Sequence, residues 1–327
     1  MHFSEGIGAQ PDALTRSRAR VADGLPALPA PTTGQVVALV GIGASEYAAR
    51  GAAVQWRRAG LRAFAVSAAE IPEGGAAADL CVAISETGRS TETIRAVELV
   101  GGERSVAVVN APDSPLAAAC STVLDLGSGE DSPIYTTGYT ATLQALGLLG
   151  EHWSGRTGDW TPLPALAQRV LDECAEPAER LAAVLDDARV VDVVASGVSA
   201  ATVGEGALLL RESARLITAA HETRNYLHGP MEPLDPSIAC LVVGADREIR
   251  LARDAAALGC PTVLVTTDRD VASEGPLTVL RLPRAGSALA QAVLEILPVQ
   301  LLAWAVARRR GLSVDGFRYQ QEDTKSR

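Results

Sequence analysis

Short apolar runs of strand length alternate with helical stretches along almost the whole chain, in two successive rounds. VVALVG, AFAVSA, LCVAIS, VAVVNA and TVLDL mark the first half, and VVDVVASG, ACLVVG, TVLVTT and TVLRL mark the second. The runs are apolar at consecutive rather than alternate positions, which suits strands covered on both faces. Helices between such strands imply parallel sheets with helices on either side. An amphipathic helix around Pro11 to Asp23 and the Pro-rich LPALPAPTTG precede the first strand. Helical patterns then begin near Ser45, Ser90 and Ser114, and a long one from about Thr137 to Trp153 closes the first half. SGRTGDWTPLP is a Gly and Pro linker of the kind that separates domains, dividing 1–156 from 157–327. The second half opens on PALAQRVLDECAEPAERLAAVL, a helix that Pro177 is expected to break, and its last helix runs from about Leu289 to Arg309.

Composition removes several classes of function. A net charge of -10, from 29 Lys and Arg against 39 Asp and Glu, argues against a nucleic-acid surface. The cluster Arg308, Arg309, Arg310 follows a helix, where cations suit the dipole. The five cysteines are scattered singly, with no CxxC pair, and read as small buried hydrophobes in a reducing compartment. The four histidines show no HxxxH spacing, so no structural metal is expected. No apolar run approaches the roughly 20 residues of a membrane span, and the N-terminus has no secretory h-region. The address expected from this is cytoplasmic.

Two strand ends carry the chemistry of the first half. LCVAI stops at Ser85, and ETGRS separates it from the helical TETIRAVELV, so ISETGRSTETI is a strand, a polar loop and a helix N-terminus. Unpaired N–H groups and the positive end of the helix dipole favour an anion there. Ser85, Thr87, Ser90 and Thr91 add hydroxyl donors, more than the single cap that Ser90 or Thr91 would otherwise represent. VVALV feeds in the same way into GIGASEYAAR, with Ser45 before the helix. Its GxGxS is too irregular for a dinucleotide fingerprint, which disfavours a dehydrogenase. Together the two loops suggest a compact phosphate site. In the second half ASGVSAATVG matches the first loop roughly, whereas CLVVGADREIR has no serine or threonine run, which implies one anion site per chain. GEGALLLRE places Glu205 and Glu212 two helical turns apart on one helix face, among apolar neighbours that would raise a carboxyl pKa. By itself that spacing also describes a solvated stripe, and His228 before Gly-Pro could be an ordinary loop residue.

GIGASEYAA, SETGRSTET, GEGALLLRES and YLHGP, in this order, resemble the SIS (sugar isomerase) phosphosugar-binding family. The likeness is to the isomerase half of glutamine:fructose-6-phosphate amidotransferase and to free-standing sugar-phosphate isomerases, amino-sugar-phosphate deaminases and fructosamine-phosphate deglycases. It runs from IGAQPDAL to VDGFR. It implies an α/β fold of two tandem SIS domains, each a parallel-sheet three-layer αβα (flavodoxin-like) sandwich. It also implies a phosphate held by Ser45, Ser85, Glu86, Thr87 and Ser90, with Thr136 as a further contact. Glu212 would be the base moving a proton between C1 and C2, Glu205 a supporting group, and His228 the ring-opening residue, supplied across a homodimer. No cofactor is implied, and neither nucleic acid nor membrane is a partner.

The departures from the family pattern are local. Glu86 stands where the family commonly has glutamine; Arg89 in the same loop would offset its charge beside a phosphate, the alternative being an uncharged ligand group at that spot. Tyr135 replaces a small neighbour of Thr136. Leu209 stands where the amidotransferase type has lysine. In the tail, VDGFRYQQEDTKSR keeps Asp315 and Arg318, offers Gln321 or Glu322 at the position of a further lysine, and carries Lys325 several residues late. The short segment before VVALVG leaves no room for a glutaminase domain, so nitrogen is expected to leave the sugar. The expected activity is that of an amino-sugar or fructosamine 6-phosphate deaminase or deglycase, the alternatives being an aldose-ketose isomerase or a non-catalytic phosphosugar sensor.

Overall fold

The computed structural model describes every residue except Gly75, Ala76, Gln320, Glu322 and Arg327. The chain begins with α1 (Phe3–Gly8) and α2 (Gln10–Gly24). β1 (Val36–Gly41), α3 (Ala44–Arg58), β2 (Arg62–Ser67), α4 (Ile71–Gly74), β3 (Leu80–Ile84) and α5 (Thr91–Val100) follow. Next come β4 (Ser105–Val109), α6 (Pro115–Ala119), β5 (Thr122–Asp125) and α7 (Thr137–Ser154). The second round is α8 (Leu163–Asp187), β6 (Val190–Ala195), α9 (Ala200–Ala214), β7 (Thr218–Glu222) and α10 (Thr223–Tyr226). It ends with β8 (Ile238–Val243), α11 (Arg247–Ala257), β9 (Thr262–Thr266), β10 (Leu277–Arg281) and α12 (Ala288–Arg309).

These elements form two compact units. One, the N-terminal unit, comprises Ala9–Asp131, Tyr135–Pro164 and the tail Arg318–Arg327. The other, the C-terminal unit, comprises Met1–Gly8, Ser132–Ile134 and Ala165–Phe317. Each holds a five-stranded, wholly parallel sheet, ordered β2-β1-β3-β4-β5 in the first and β10-β9-β8-β6-β7 in the second. The architecture is that of two tandem three-layer α/β domains.

Burial explains which runs lie where. Every residue of β3 and β4 is buried, and so is every residue of β8 and β9. These interior strands are apolar throughout apart from Ser105 at the start of β4 and Thr262 and Thr266 at the ends of β9. On one face of the first sheet Ala38, Val40, Cys81, Ala83, Ala107 and Val109 alternate along three strands and pack against Ala96, Val97 and Leu116. Small residues on that face let helices approach closely, and each buried valine or leucine adds about 1.5–3 kcal/mol. The edge strand β7, TAAHE, is only partly buried and has no apolar run, which is why pattern reading passes over it.

Two expectations are overturned. α8 is continuous through Pro177. Proline removes a hydrogen bond and crowds the preceding turn at a cost of about 3 kcal/mol. Val170, Cys174, Ala178, Leu181 and Leu185 are buried on both sides of it, and their packing outweighs that cost. α12 is long and apolar enough to cross a membrane by length and composition, although Glu295, Pro298 and Gln300 interrupt its apolar run. Here 83% of its most apolar stretch is buried inside the protein.

In each sheet the chain leaves the first strand toward one side and later returns to the other. β1 lies between β2 and β3, and β6 lies between β7 and β8. Connections diverge between β1 and β3 and again between β6 and β8. Those are the crevices at the carboxyl ends of the strands where open α/β sheets bind ligands.

Candidate active site

The crevice of the N-terminal unit is formed by the two hydroxyl-bearing loops. β1 and β3 are direct neighbours, with Val40 opposite Ala83, so the loops leave strands about 5 Å apart. Ser45 lies in the first turn of α3, which begins at Ala44, so it is inside the helix and not before it. Ser85 and Ser90 are both buried, and their hydroxyls approach to 3.2 Å. Ser90 occupies the N-cap position of α5 without its side chain making a cap hydrogen bond. Its hydroxyl faces Ser85 instead, which removes the simple capping explanation. Gly88 turns the loop at φ +62, and a Cβ there would collide with the Ser114 side chain. Only glycine satisfies both conditions.

The tail closes over one side of this loop. Ser90 and Lys325 form an antiparallel bridge, and Thr91 donates its hydroxyl to the Asp323 carbonyl at 2.7 Å. Lys325 Nζ donates to Thr87 Oγ1 at 3.4 Å. Thr91 is therefore engaged by the tail, while the cation beside the loop is Lys325. Arg89, one of the two alternatives for offsetting Glu86, is exposed and its guanidinium points to the Ser326 carbonyl at 3.3 Å. Burial pushes the Glu86 carboxyl above its ordinary range and Asp131 adds to the rise. The hydrogen bond from Asn110, at 3.0 Å, and the Lys325 charge oppose it. Burial lowers the Lys325 ammonium, while Glu86 and Glu92 raise it. Glu322 lies outside the described residues.

Thr136 is fully buried, but its hydroxyl is already used. It donates to Asp131 Oδ1 at 2.5 Å, and the backbone N–H of Gly138 donates to Asp131 Oδ2 at 2.7 Å. Asp131 thus fills the N-terminal anion position of α7. Neither it nor Asn110 was singled out in the sequence. Their only signal there is a polar residue soon after a strand or shortly before a helix.

In the C-terminal unit α9 carries both glutamates. Glu205 is buried at 3% exposure. Glu212 is half-buried two turns later, and burial alone lifts its carboxyl to about 7. A group titrating there can accept and return a proton near neutral pH. Leu209, between them, is 1% exposed, so this stretch of the helix offers core packing in place of a cation. His228 lies in the turn after α10, exposed, its backbone N–H donating to the Asn225 carbonyl at 3.0 Å. Among the described residues no group of three or more His, Cys, Asp or Glu could hold a metal ion. All five cysteines are free, and Cys120 alone is not buried.

No known family model matches the chain. A glutamine–fructose-6-phosphate aminotransferase (isomerizing) from Bradyrhizobium diazoefficiens is 28% identical over 261 residues, covering 72% of this chain and 42% of that protein. The chain therefore spans less than half the length of the curated relatives it matches. The C-terminal domain of glucosamine-fructose-6-phosphate aminotransferase from Francisella tularensis superposes with a TM-score of 0.82 at 19% identity. That match covers 97% of this chain and 98% of that one. The homologues are sugar isomerase (SIS) domains, and this chain has their fold. Glucosamine-6-phosphate deaminase from Thermotoga maritima shares that fold, with a TM-score of 0.81, 20% identity and 98% coverage of both chains.

Proposed function

We propose that this SIS protein is a phosphosugar-processing enzyme acting on a 6-phosphorylated sugar that bears nitrogen at C1 or C2, and that it releases ammonia or an amine. The observation that carries this reading is the Glu212 carboxyl, held near pKa 7 by burial on α9. The phosphoryl group is assigned to Ser45, Ser85, Thr87 and Ser90, with Lys325 supplying positive charge. Glu86 and Thr136 belong to the frame of that site, because Asn110 and Asp131 already engage them. His228 opens the sugar ring, from a second copy of the chain in a homodimer, and its exposed turn supports that role. Glu212 as carboxylate takes the proton from one of C1 and C2 and returns it to the other, with Glu205 in support. Water then displaces nitrogen from the imine so formed, leaving a carbonyl sugar phosphate.

The relatives that isomerise and those that deaminate share the enol-type intermediate, so substrate range decides between them. Purified protein incubated with glucosamine 6-phosphate and with fructosamine 6-phosphates is expected to release ammonia or free amine. Turnover of a plain ketose phosphate without any nitrogen release overturns the reading in favour of an aldose-ketose isomerase. Ligand binding without turnover of any substrate, in the wild type and in Glu212→Gln alike, identifies a sensor. The buried Leu209 supplies no cation beside Glu205, which counts against synthase-type isomerisation.

A further inference from the structure

The C-terminal unit has its own crevice at the β6/β8 switch point, and it is occupied by a cavity of about 220 Å3. Ser199, Gly244, Asp246, Glu248, Gln291 and Glu295 are among the residues that line it. We propose that this cavity is a second ligand site, built for a small unphosphorylated amine that also carries an oxygen acceptor, such as an amino sugar or amino alcohol.

Position is the first reason. The cavity sits at the carboxyl ends of the strands where connections diverge, the equivalent in this unit of the hydroxyl-loop crevice in the other. Its charge is reversed. Glu248 and Glu295 are 5% and 6% exposed, and no lysine or arginine is among the lining residues. Ser199 and Thr202 each donate to Glu295 at 3.0 Å, and Thr223 donates to Glu248 Oε1 at 2.6 Å. Hydroxyls orient both carboxylates, and among the described residues neither forms an ion pair with a lysine or arginine. Burial lifts Glu295 to about 7, with the Glu248 charge adding to the rise, as expected of an acid that lacks its counter-ion. A phosphoryl group would be repelled here, whereas an ammonium group would gain two partners.

Gln291 defines the other end of the ligand. Its Oε1 accepts the Ala285 N–H at 2.9 Å, which leaves Nε2 buried with no hydrogen-bond partner. A buried donor of this kind calls for an acceptor oxygen. The backbone around the carboxylates is also shaped for the purpose. Gly244 has φ +140, and a Cβ there would lie 2.9 Å from Glu248 Cγ, so only glycine lets Glu248 reach the cavity. Asp246, also on the lining, is held at φ +51, a conformation uncommon for a non-glycine residue. A volume of about 220 Å3 suits a small ligand.

Equilibrium binding of glucosamine to the intact protein tests the proposal without reference to turnover. Wild-type protein is expected to bind glucosamine at least tenfold more tightly than N-acetylglucosamine, which lacks the positive charge. Glu248→Gln should weaken glucosamine at least tenfold, whereas Ser90→Ala, in the phosphate loop, should leave its affinity unchanged. Absence of glucosamine binding, equal affinity for the acetylated sugar, or loss of binding in Ser90→Ala overturns the proposal. Gln291→Leu provides a second variant if Glu248→Gln does not fold, and unchanged affinity in it is equally fatal.

Discussion

Asp131 holds Thr136 by both its backbone nitrogen, at 3.0 Å, and its hydroxyl, at 2.5 Å, so the N-terminus of α7 already faces an anion from outside the helix. An internal carboxylate at a helix N-terminus satisfies donors that would otherwise need a ligand. Asp131→Ala is therefore expected to cost about 2–3 kcal/mol, read as a lower urea midpoint. Thr136→Val should leave the Kd for a hexose 6-phosphate within about twofold, whereas Ser90→Ala should raise it about tenfold, the worth of a hydrogen bond to a charged group. Equal effects of the two would assign Thr136 to the phosphate after all.

Under the proposed function Glu212 acts as a base only when ionised, and burial lifts its carboxyl to about 7. The kcat/KM profile is expected to rise with pH through an apparent pKa close to 7, well above the usual carboxylate range. Glu212→Gln should lower turnover by about 100-fold or more while retaining ligand-induced stabilisation. A profile flat from pH 5 to 8, or a Gln variant with normal turnover, removes Glu212 from the chemistry.

The readable parts of this chain are those whose physics is local. VVALV and LCVAI announce interior strands because all of their residues but Val36 are buried, and the loops behind them suggest an anion because their hydroxyls are close together in sequence. Asp131 was not readable, since it caps a helix from outside it. Nor was the role of Lys325, which meets Thr87 across 238 positions of sequence. Pro177 misled for a related reason: a local rule predicts a break, and buried residues on both sides of it override the rule. β7 was hidden because an edge strand needs no continuous apolar run.

Stability should depend on pH with an uncommon sign around neutrality. Glu212 and Glu295 each ionise near 7 in the folded chain, against 4.5 as the ordinary value. The native state holds both protons over that interval and the unfolded state does not. Their contribution is complete below pH 4.5 and is lost as pH rises through 7. Each accounts for up to about 3 kcal/mol, at about 1.4 kcal/mol per pKa unit. Unfolding free energies of Glu212→Gln and Glu295→Gln, measured between pH 5 and 8, should each fall less steeply than the wild type. A wild-type slope that persists in both variants contradicts the raised pKa values.

Lys325 reaches the loop between Ser85 and Ser90 from the tail, its ammonium 3.4 Å from Thr87 Oγ1 and its charge opposing the rise in the Glu86 pKa. A cation in this place has two tasks under the proposed function. It neutralises Glu86, and it leaves the loop net receptive to a dianion. Lys325→Ala is expected to raise the Kd for a hexose 6-phosphate about three- to fivefold, the range for a partly solvated charge contact. The difference should shrink in about 0.5 M salt, because screening weakens exposed charge interactions. Lys325→Arg should restore affinity, and Glu86→Gln should offset the loss in Lys325→Ala by removing the charge that Lys325 balances. An unchanged Kd in Lys325→Ala at low salt would show that the tail cation has no part in holding the phosphate.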